Sequence, residues 1–181
     1  AMSRRQRQMC IRDRLEIAAP KPGETVLVSA AAGSVGHLVG QLASIHGARA
    51  VGVCGSDIKA KALVEKLGFE AAVNYKSEDF REELKSATPD GVDVYFDNTG
   101  GMILGSALFR MNKGGRIACC GVVSQYDTDK PEPSPKGIPG LLINKRLSMN
   151  GFLVFDYAER YAEARHQLLT WLESGELQFL T

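Results

Sequence analysis

From Pro20 onward the chain alternates between two hydrophobic periods, and this restricts its fold more than any other feature. Residues 25–30 (TVLVSA) form a short apolar, β-branched run, preceded by the turn signal Pro22-Gly23 and followed by a glycine-rich turn. The next segment places Val35, Leu38, Val39, Leu42 and Ala43 on one helical face, and Gly47 suits its C-terminal stop. Residues 48–54 (ARAVGVC) read as a second buried strand. Ala60, Leu63, Val64 and Leu67 form a second helical stripe, closed by Gly68. The pattern continues with a strand at 71–75, a helix at 78–87 carrying Phe80 and Leu84, a strand at 92–97 and a helix at 102–111. Strands follow at 115–122 and 147–154. Ala158, Tyr161, Ala162, Arg165, Leu168, Leu169 and Leu172 trace a last amphipathic helix, stopped at Gly175. Apolar strands recurring about every 25 residues between helices imply an α/β fold with a parallel sheet covered on both faces. Right-handed crossovers then predict a Rossmann-type, doubly wound sheet of six parallel strands in the order 3-2-1-4-5-6. The stretch 125–140, with Pro131, Pro133, Pro135 and Pro139, is expected to be irregular.

Length and composition fit one such domain. The chain has 181 residues, 44% hydrophobic and 24% charged, which is enough to bury a proper core and too apolar for disorder. No stretch approaches the roughly 18 uninterrupted apolar residues of a membrane span, and no secretory signal opens the chain. The net charge of +1 gives no general attraction to nucleic acid or anionic lipid. Cys10, Cys54, Cys119 and Cys120 include no CxxC pair and no nearby His at metal-ligand spacing, so neither a disulfide framework nor a metal site is expected. A cytoplasmic location is the default. Residues 1–19 stand apart as a basic extension, with Arg4, Arg5, Arg7, Arg12 and Arg14 against Asp13 in the first fourteen positions. They read as a disordered or non-native segment rather than a nucleic-acid arm, which leaves residues 20–181 as the dinucleotide-binding domain.

In sheets of this kind ligands sit at the carboxyl ends of the strands. The first such end carries Ala31-Ala32-Gly33-Ser34-Val35-Gly36, an alanine-for-glycine version of the dinucleotide fingerprint, placed between strand and helix as that motif requires. Gly33 lets the backbone approach a pyrophosphate at the helix N-terminus, and Gly36 and Gly40 permit close helix packing. The second strand end selects the dinucleotide. An NAD site keeps an acid there, about twenty residues on, for the ribose 2′-hydroxyl. Here Gly55 stands at the tip, followed by Ser56, Asp57 and Lys59. Asp57 is past the turn and Ser56 also suits a helix N-cap. Lys59 and Lys61 sit where a 2′-phosphate would bind and where the helix dipole offers a cation nothing, although either is also compatible with a solvated surface lysine. NADP(H) is the expected cofactor.

These residues carry a family resemblance. SAAAGSVGHLVGQLA, VGVCGSDIKAKALVEKLGFEAAVNYKSEDF, PDGVDVYFDNTGG, GRIACCGVVSQY and GFLVFDYAERYAEA, in this order, resemble the medium-chain dehydrogenase/reductase superfamily. They are most similar to its zinc-independent branch of prostaglandin (leukotriene B4 dehydrogenase) and curcumin/alkenal reductases, over residues 20 to 179. The resemblance implies an NADPH-dependent reductase of the C=C bond of α,β-unsaturated carbonyl compounds. It implies that Gly33, Ser34, Val35 and Gly36 hold the pyrophosphate, that Lys59 and Tyr75 meet the 2′-phosphate, and that Asn98 lies along the cofactor. It further implies that Cys120, Gly121, Val122, Val123, Ser124 and Tyr126 wrap the nicotinamide half, with Phe152 and Val154 beside the ring. The residues themselves leave alternatives open: Asn98 suits an Asx-turn, Cys119 and Cys120 buried small hydrophobes, and Phe152 and Val154 plain core. Family members are about twice as long and carry a GroES-like catalytic domain, so this chain corresponds to the cofactor half and is expected to turn over poorly alone. Tyr126 is its one candidate catalytic hydrogen-bond donor to the substrate carbonyl.

Other readings are weaker. Tyr126 and Lys130 match a YxxxK pair, but the prolines that follow put it in a loop rather than on the helix the pair needs. A non-catalytic nucleotide-binding module, or an S-adenosylmethionine-dependent methyltransferase, remains the alternative; the latter would want an acid where Gly55 stands. The uncharged strand at 147–154 is the expected sheet edge and predicts a homodimer through it, as the resemblance also does.

Overall fold

The strand β1 (Thr25–Val28) is buried along its whole length, as is all but the first residue of β2 (Arg49–Cys54). Strands without a wet face need helices on both sides. The computed structural model, which describes residues 19–125, 135–152 and 161–179, provides them. β1 and β2 join β3 (Ala71–Asn74), β4 (Val92–Asp97), β5 (Met111–Cys119) and β6 (Ser148–Gly151) in one sheet ordered β3-β2-β1-β4-β5-β6. Every pairing is parallel; Leu27, for example, lies in register with Val51 of β2 and Tyr95 of β4. This is the expected doubly wound topology. Its helices are α1 (Gly36–Ile45), α2 (Asp57–Leu67), α3 (Phe80–Ala87), α4 (Gly101–Arg110), α5 (Ile138–Lys145) and α6 (Tyr161–Glu173).

Strand alternation sorts the core into two layers. On one face Val26, Val28, Val94 and Phe96 pack with Leu38 and Leu42 of α1, Leu63 and Leu67 of α2 and Leu168 of α6. On the other, Leu27, Val53, Tyr95 and Ile117 pack with Phe80 and Leu84 of α3 and with Ile103, Leu104 and Leu108 of α4. Close approach is built into α1, because a Cβ on Gly40 would stand 1.9 Å from the Phe69 ring. Gly68, at φ +68°, ends α2 in the left-handed conformation that closes a helix.

The structure corrects several boundaries. Val64, placed on the buried stripe of α2, is 41% exposed. β5 starts four residues before the expected Gly115, because its register against β4 breaks between Val92 and Val94 and admits extra residues. It ends at Cys119 rather than 122, since the N–H groups of Cys120 and Gly121 turn back to the Asp97 carbonyl. The stretch expected to be irregular contains the start of α5: Pro139 falls in its first turn, where a missing N–H costs no helical bond. β6 is short, and Ser148, Asn150 and Gly151 are exposed, so the edge is polar rather than the long apolar one expected. Residues 1–18, Tyr126, Val154 and the first residues assigned to the last helix lie outside the described residues.

The segment after α6 is strapped to α1. Gln41 is 5% exposed; its amide nitrogen donates to the carbonyls of His37 (3.0 Å) and Gln178 (2.9 Å), and its oxygen accepts from the Gln178 N–H (2.7 Å). Leu177, buried, and Phe179, edge-on to His37, complete the contact. Gln41→Ala should therefore lower stability by about 1–2 kcal/mol and speed hydrogen exchange at the Gln178 amide. An unchanged melting temperature would mean that Leu177 alone holds the strap.

Candidate functional site

The carboxyl ends of β1 to β5 open on one cleft, whose floor is the turn from β1 to α1. Here Ala30 takes a left-handed φ of +48°. The Ala31 N–H donates to the Val53 carbonyl, and the Gly33 N–H folds back onto the Ala30 carbonyl at 2.9 Å. A Cβ on Gly36 would lie 2.3 Å from the Ala30 oxygen, so only glycine lets α1 start this close to the strand. Gly33 is exposed, Ser34 and Val35 are half-buried, and His37 Nδ1 bonds the Gly33 carbonyl at 2.7 Å. The result is a bare backbone turn at a helix N-terminus, the arrangement that accepts an anion.

A buried carboxylate fixes the middle of the cleft. Asp97 is 2% exposed at the end of β4. Its Oδ1 accepts from the N–H groups of Gly100 (2.9 Å) and Thr99 (3.0 Å), the Tyr95 hydroxyl (2.8 Å) and the Ser29 hydroxyl (3.3 Å). The Asn98 amide donates to the Ser29 carbonyl at 2.7 Å and its N–H to Ser29 Oγ at 2.8 Å. These bonds weld the ends of β1 and β4 together. The following segment is laid alongside: Val123 N–H bonds the Asn98 carbonyl, and Ser124 bonds the Thr99 carbonyl through both N–H and hydroxyl. Burial, with Asp97 adding to it, pushes the Tyr95 hydroxyl well above its ordinary range. The same two causes, burial first, push the Cys119 thiol up to about 11.

The far end of the cleft lies at the tips of β2 and β3. Gly55 faces the Tyr75 ring, against which a Cβ would press at 3.1 Å. Ser56 caps α2, its hydroxyl accepting from the Lys59 N–H at 3.4 Å, so the capping role holds for it. Lys61 reaches Glu65 across one helical turn. Asp57 does not face the cleft; its carboxylate accepts from the Asn74 amide at 3.0 Å. The cleft encloses about 420 Å³. Gly33, Gly55, Lys59, Tyr75, Val123 and Ser124 line it, as do Ala30, Ala32, Cys54, Lys76, Thr99, Gly100 and Ile103, which the sequence reading had not singled out. Lys76 lies over the Tyr75 ring at 5.9 Å. Its position next to Tyr75, two residues past the end of β3, is the signal that the sequence offers. Ser34, Val35, Gly36, Ser56, Asn98, Cys120, Gly121 and Val122 border or support the cleft without lining it. Phe152 packs on Phe96, ring centroids 6.4 Å apart, on the core side.

Residues 34–172 match the family described as zinc-binding dehydrogenase. The chain belongs to that family. Within and around it, the chain is 45% identical over 168 residues to the NADP(+)-dependent 2-alkenal reductase of Nicotiana tabacum, covering 91% of this chain and 48% of the relative. It is 46% identical over 167 residues to prostaglandin reductase 1 of Bos taurus, covering 91% and 50%. The chain thus spans about half the length of the curated relatives it matches. Among solved structures, that of CurA in complex with NADPH from Vibrio vulnificus superposes with a TM-score of 0.88 at 34% identity, covering 99% of this chain and 54% of that one. The alkenal and prostaglandin reductases expected from the motifs are thus among the relatives that the chain matches. Among the described residues, no group of three or more His, Cys, Asp or Glu is placed to hold a metal ion.

The Cys119 thiol gives a direct check on the geometry around Asp97. Only the thiolate alkylates, so at pH 8.5 Cys119 should react with iodoacetamide at roughly one hundredth the rate of an ordinary cysteine. Its pH profile should have a midpoint near 11. A midpoint near 9, read by peptide mass mapping, would show that Cys119 is neither desolvated nor beside a carboxylate.

Proposed function

We propose that this chain is the cofactor-binding domain of an NADPH-dependent oxidoreductase that reduces the C=C bond of α,β-unsaturated carbonyl compounds. One observation carries the reading: two lysines, Lys59 and Lys76, line the adenosine end of the cleft beside Tyr75, and no carboxylate lines it anywhere among the described residues. Such an end suits a dianionic 2′-phosphate and not the bare 2′-hydroxyl of NAD. The names of the relatives in tobacco and cattle support the same chemistry.

The cofactor fits the residues present. Gly33 offers a cradle without a side chain, and the start of α1 adds the dipole that favours the pyrophosphate. When bound, the nicotinamide supplies a hydride to an electrophilic alkene carbon. The chain's own part is positioning. The Asp97 network holds Thr99 and Gly100 against that half of the cleft, and Val123 and Ser124 close it from the other side. We assign Tyr126, outside the described residues, as donor of a hydrogen bond to the substrate carbonyl oxygen. The substrate's other wall belongs to the half of the relatives that this chain does not match. The lysine-lined tip disfavours a methyltransferase, whose ligand has an unphosphorylated ribose that needs an acid there. A reducing compartment such as the cytoplasm suits the thiols of Cys54 and Cys119, which are free.

We also propose a homodimer through β6, which among the described residues stands at the sheet edge with β5 as its one strand partner. Its support is that edge position, where a second strand can pair, not apolar area. A Ser148→Lys/Asn150→Lys variant should sediment as a monomer where the native chain sediments as a dimer, and a native chain that is monomeric at every concentration would end the idea.

Lys59→Ala should raise the Kd for NADPH about tenfold or more and leave that for NADH within about twofold, read by nicotinamide fluorescence. Equal weakening of both would show that Lys59 does not meet the 2′-phosphate.

A further inference from the structure

We propose that Asn74 is a specificity-determining residue: it latches Asp57 away from the cleft, and this latch keeps the site selective for a phosphorylated ribose. The inference rests on the NADPH reading above and deepens it. The turn after β2 carries one acid and one base, Asp57 and Lys59, two residues apart at the start of α2. Their side chains have opposite fates. Lys59 lines the cleft and Asp57 does not, because the Asn74 amide at the end of β3 donates to Asp57 Oδ1 at 3.0 Å. The other end of the same amide is also fixed, since Asn74 Oδ1 accepts from the Lys76 N–H at 3.1 Å. One asparagine thus engages the acid, which does not line the cleft, and anchors the backbone of the second cleft lysine.

The electrostatic consequence follows from distance. A carboxylate free to swing toward Gly55 and Tyr75 would sit near the phosphate position, repel the dianion and offer an acceptor to a 2′-hydroxyl. Held on Asn74, it does neither. Asn74 touches the cleft through Asp57 and Lys76 rather than through the ligand, so it is a positioning residue.

The test measures Kd for NADPH and NADH with the whole chain carrying Asn74→Ala, Asp57→Ala or both. The native chain should prefer NADPH. Asn74→Ala should cut that preference about fivefold, the effect of one surface charge a few ångströms away, and the loss should shrink as salt is raised. Asp57→Ala alone should leave the preference within about twofold, because the latch holds that carboxylate on Asn74 rather than at the phosphate position. The double variant should recover most of the preference. It still lacks the bond to Lys76, so recovery isolates Asp57 as the cause. A purely structural tie between β3 and α2 would leave the double variant no better than Asn74→Ala, and that result, or an unchanged preference in Asn74→Ala, overturns the proposal. A native chain without preference for NADPH overturns the NADPH reading itself and the latch with it, whereas the other two outcomes leave that reading standing. Both side chains sit at the surface, and melting curves verify that all variants fold.

Discussion

In a parallel sheet wound by right-handed crossovers every strand ends at the same edge, and the backbone groups left there must find partners. In this protein much of that demand falls on one carboxylate. Asp97 accepts from Ser29, Tyr95, Thr99 and Gly100, while its backbone carbonyl accepts from Cys120 and Gly121. The ends of β1, β4 and β5 are therefore one hydrogen-bonded unit. A buried charge is tolerated only when its bonds are so fully met, and the cost of unmaking them makes the cleft floor rigid. The turn bearing Gly33 and the wall bearing Thr99 and Gly100 inherit their positions from it.

The other end of the cleft is built differently. The tips of β2 and β3 carry the exposed side chains Asp57, Lys59 and Lys76 and the half-buried Asn74, whose arrangement depends on single hydrogen bonds and on charge more than on packing. Such bonds are individually weak and are screened by salt. The cleft thus pairs a rigid half with an adjustable half; under the proposed function the first orients the nicotinamide and the second reads the ribose. Family membership accounts for the first; the second is where members with one fold can differ in cofactor choice.

Much of the fold was legible because burial on both faces writes itself into the sequence as continuous apolar runs. Residues 26–28 and 50–54 have no polar alternation to misread, and the strand order followed from crossover handedness. The errors fell where local rules compete. Proline at 139 reads as a helix breaker but is harmless in a first turn. The start of β5 depended on a register break that only its partner strand defines. Within the described residues, the apolar run at 147–154 yielded a strand of four residues with three of them exposed, because hydrophobic composition does not say whether a sheet edge is covered.

The site divides along the same line. The sequence by itself determined the fingerprint turn, the glycine at the β2 tip and the lysine of α2, since each is a local requirement of backbone conformation or of charge at a helix end. It also determined that the ligand edge lies after β1, β2 and β4, because topology alone places it there. Only the tertiary structure decided which side chains enter the cleft. Lys76 and Thr99 line it, Ser56 caps a helix, and Asp57, outside the lining, bonds an asparagine seventeen residues distant in the chain. The physical reason is that a side chain's direction is set by the partner it finds across the sheet, and no local pattern encodes a partner supplied by another strand.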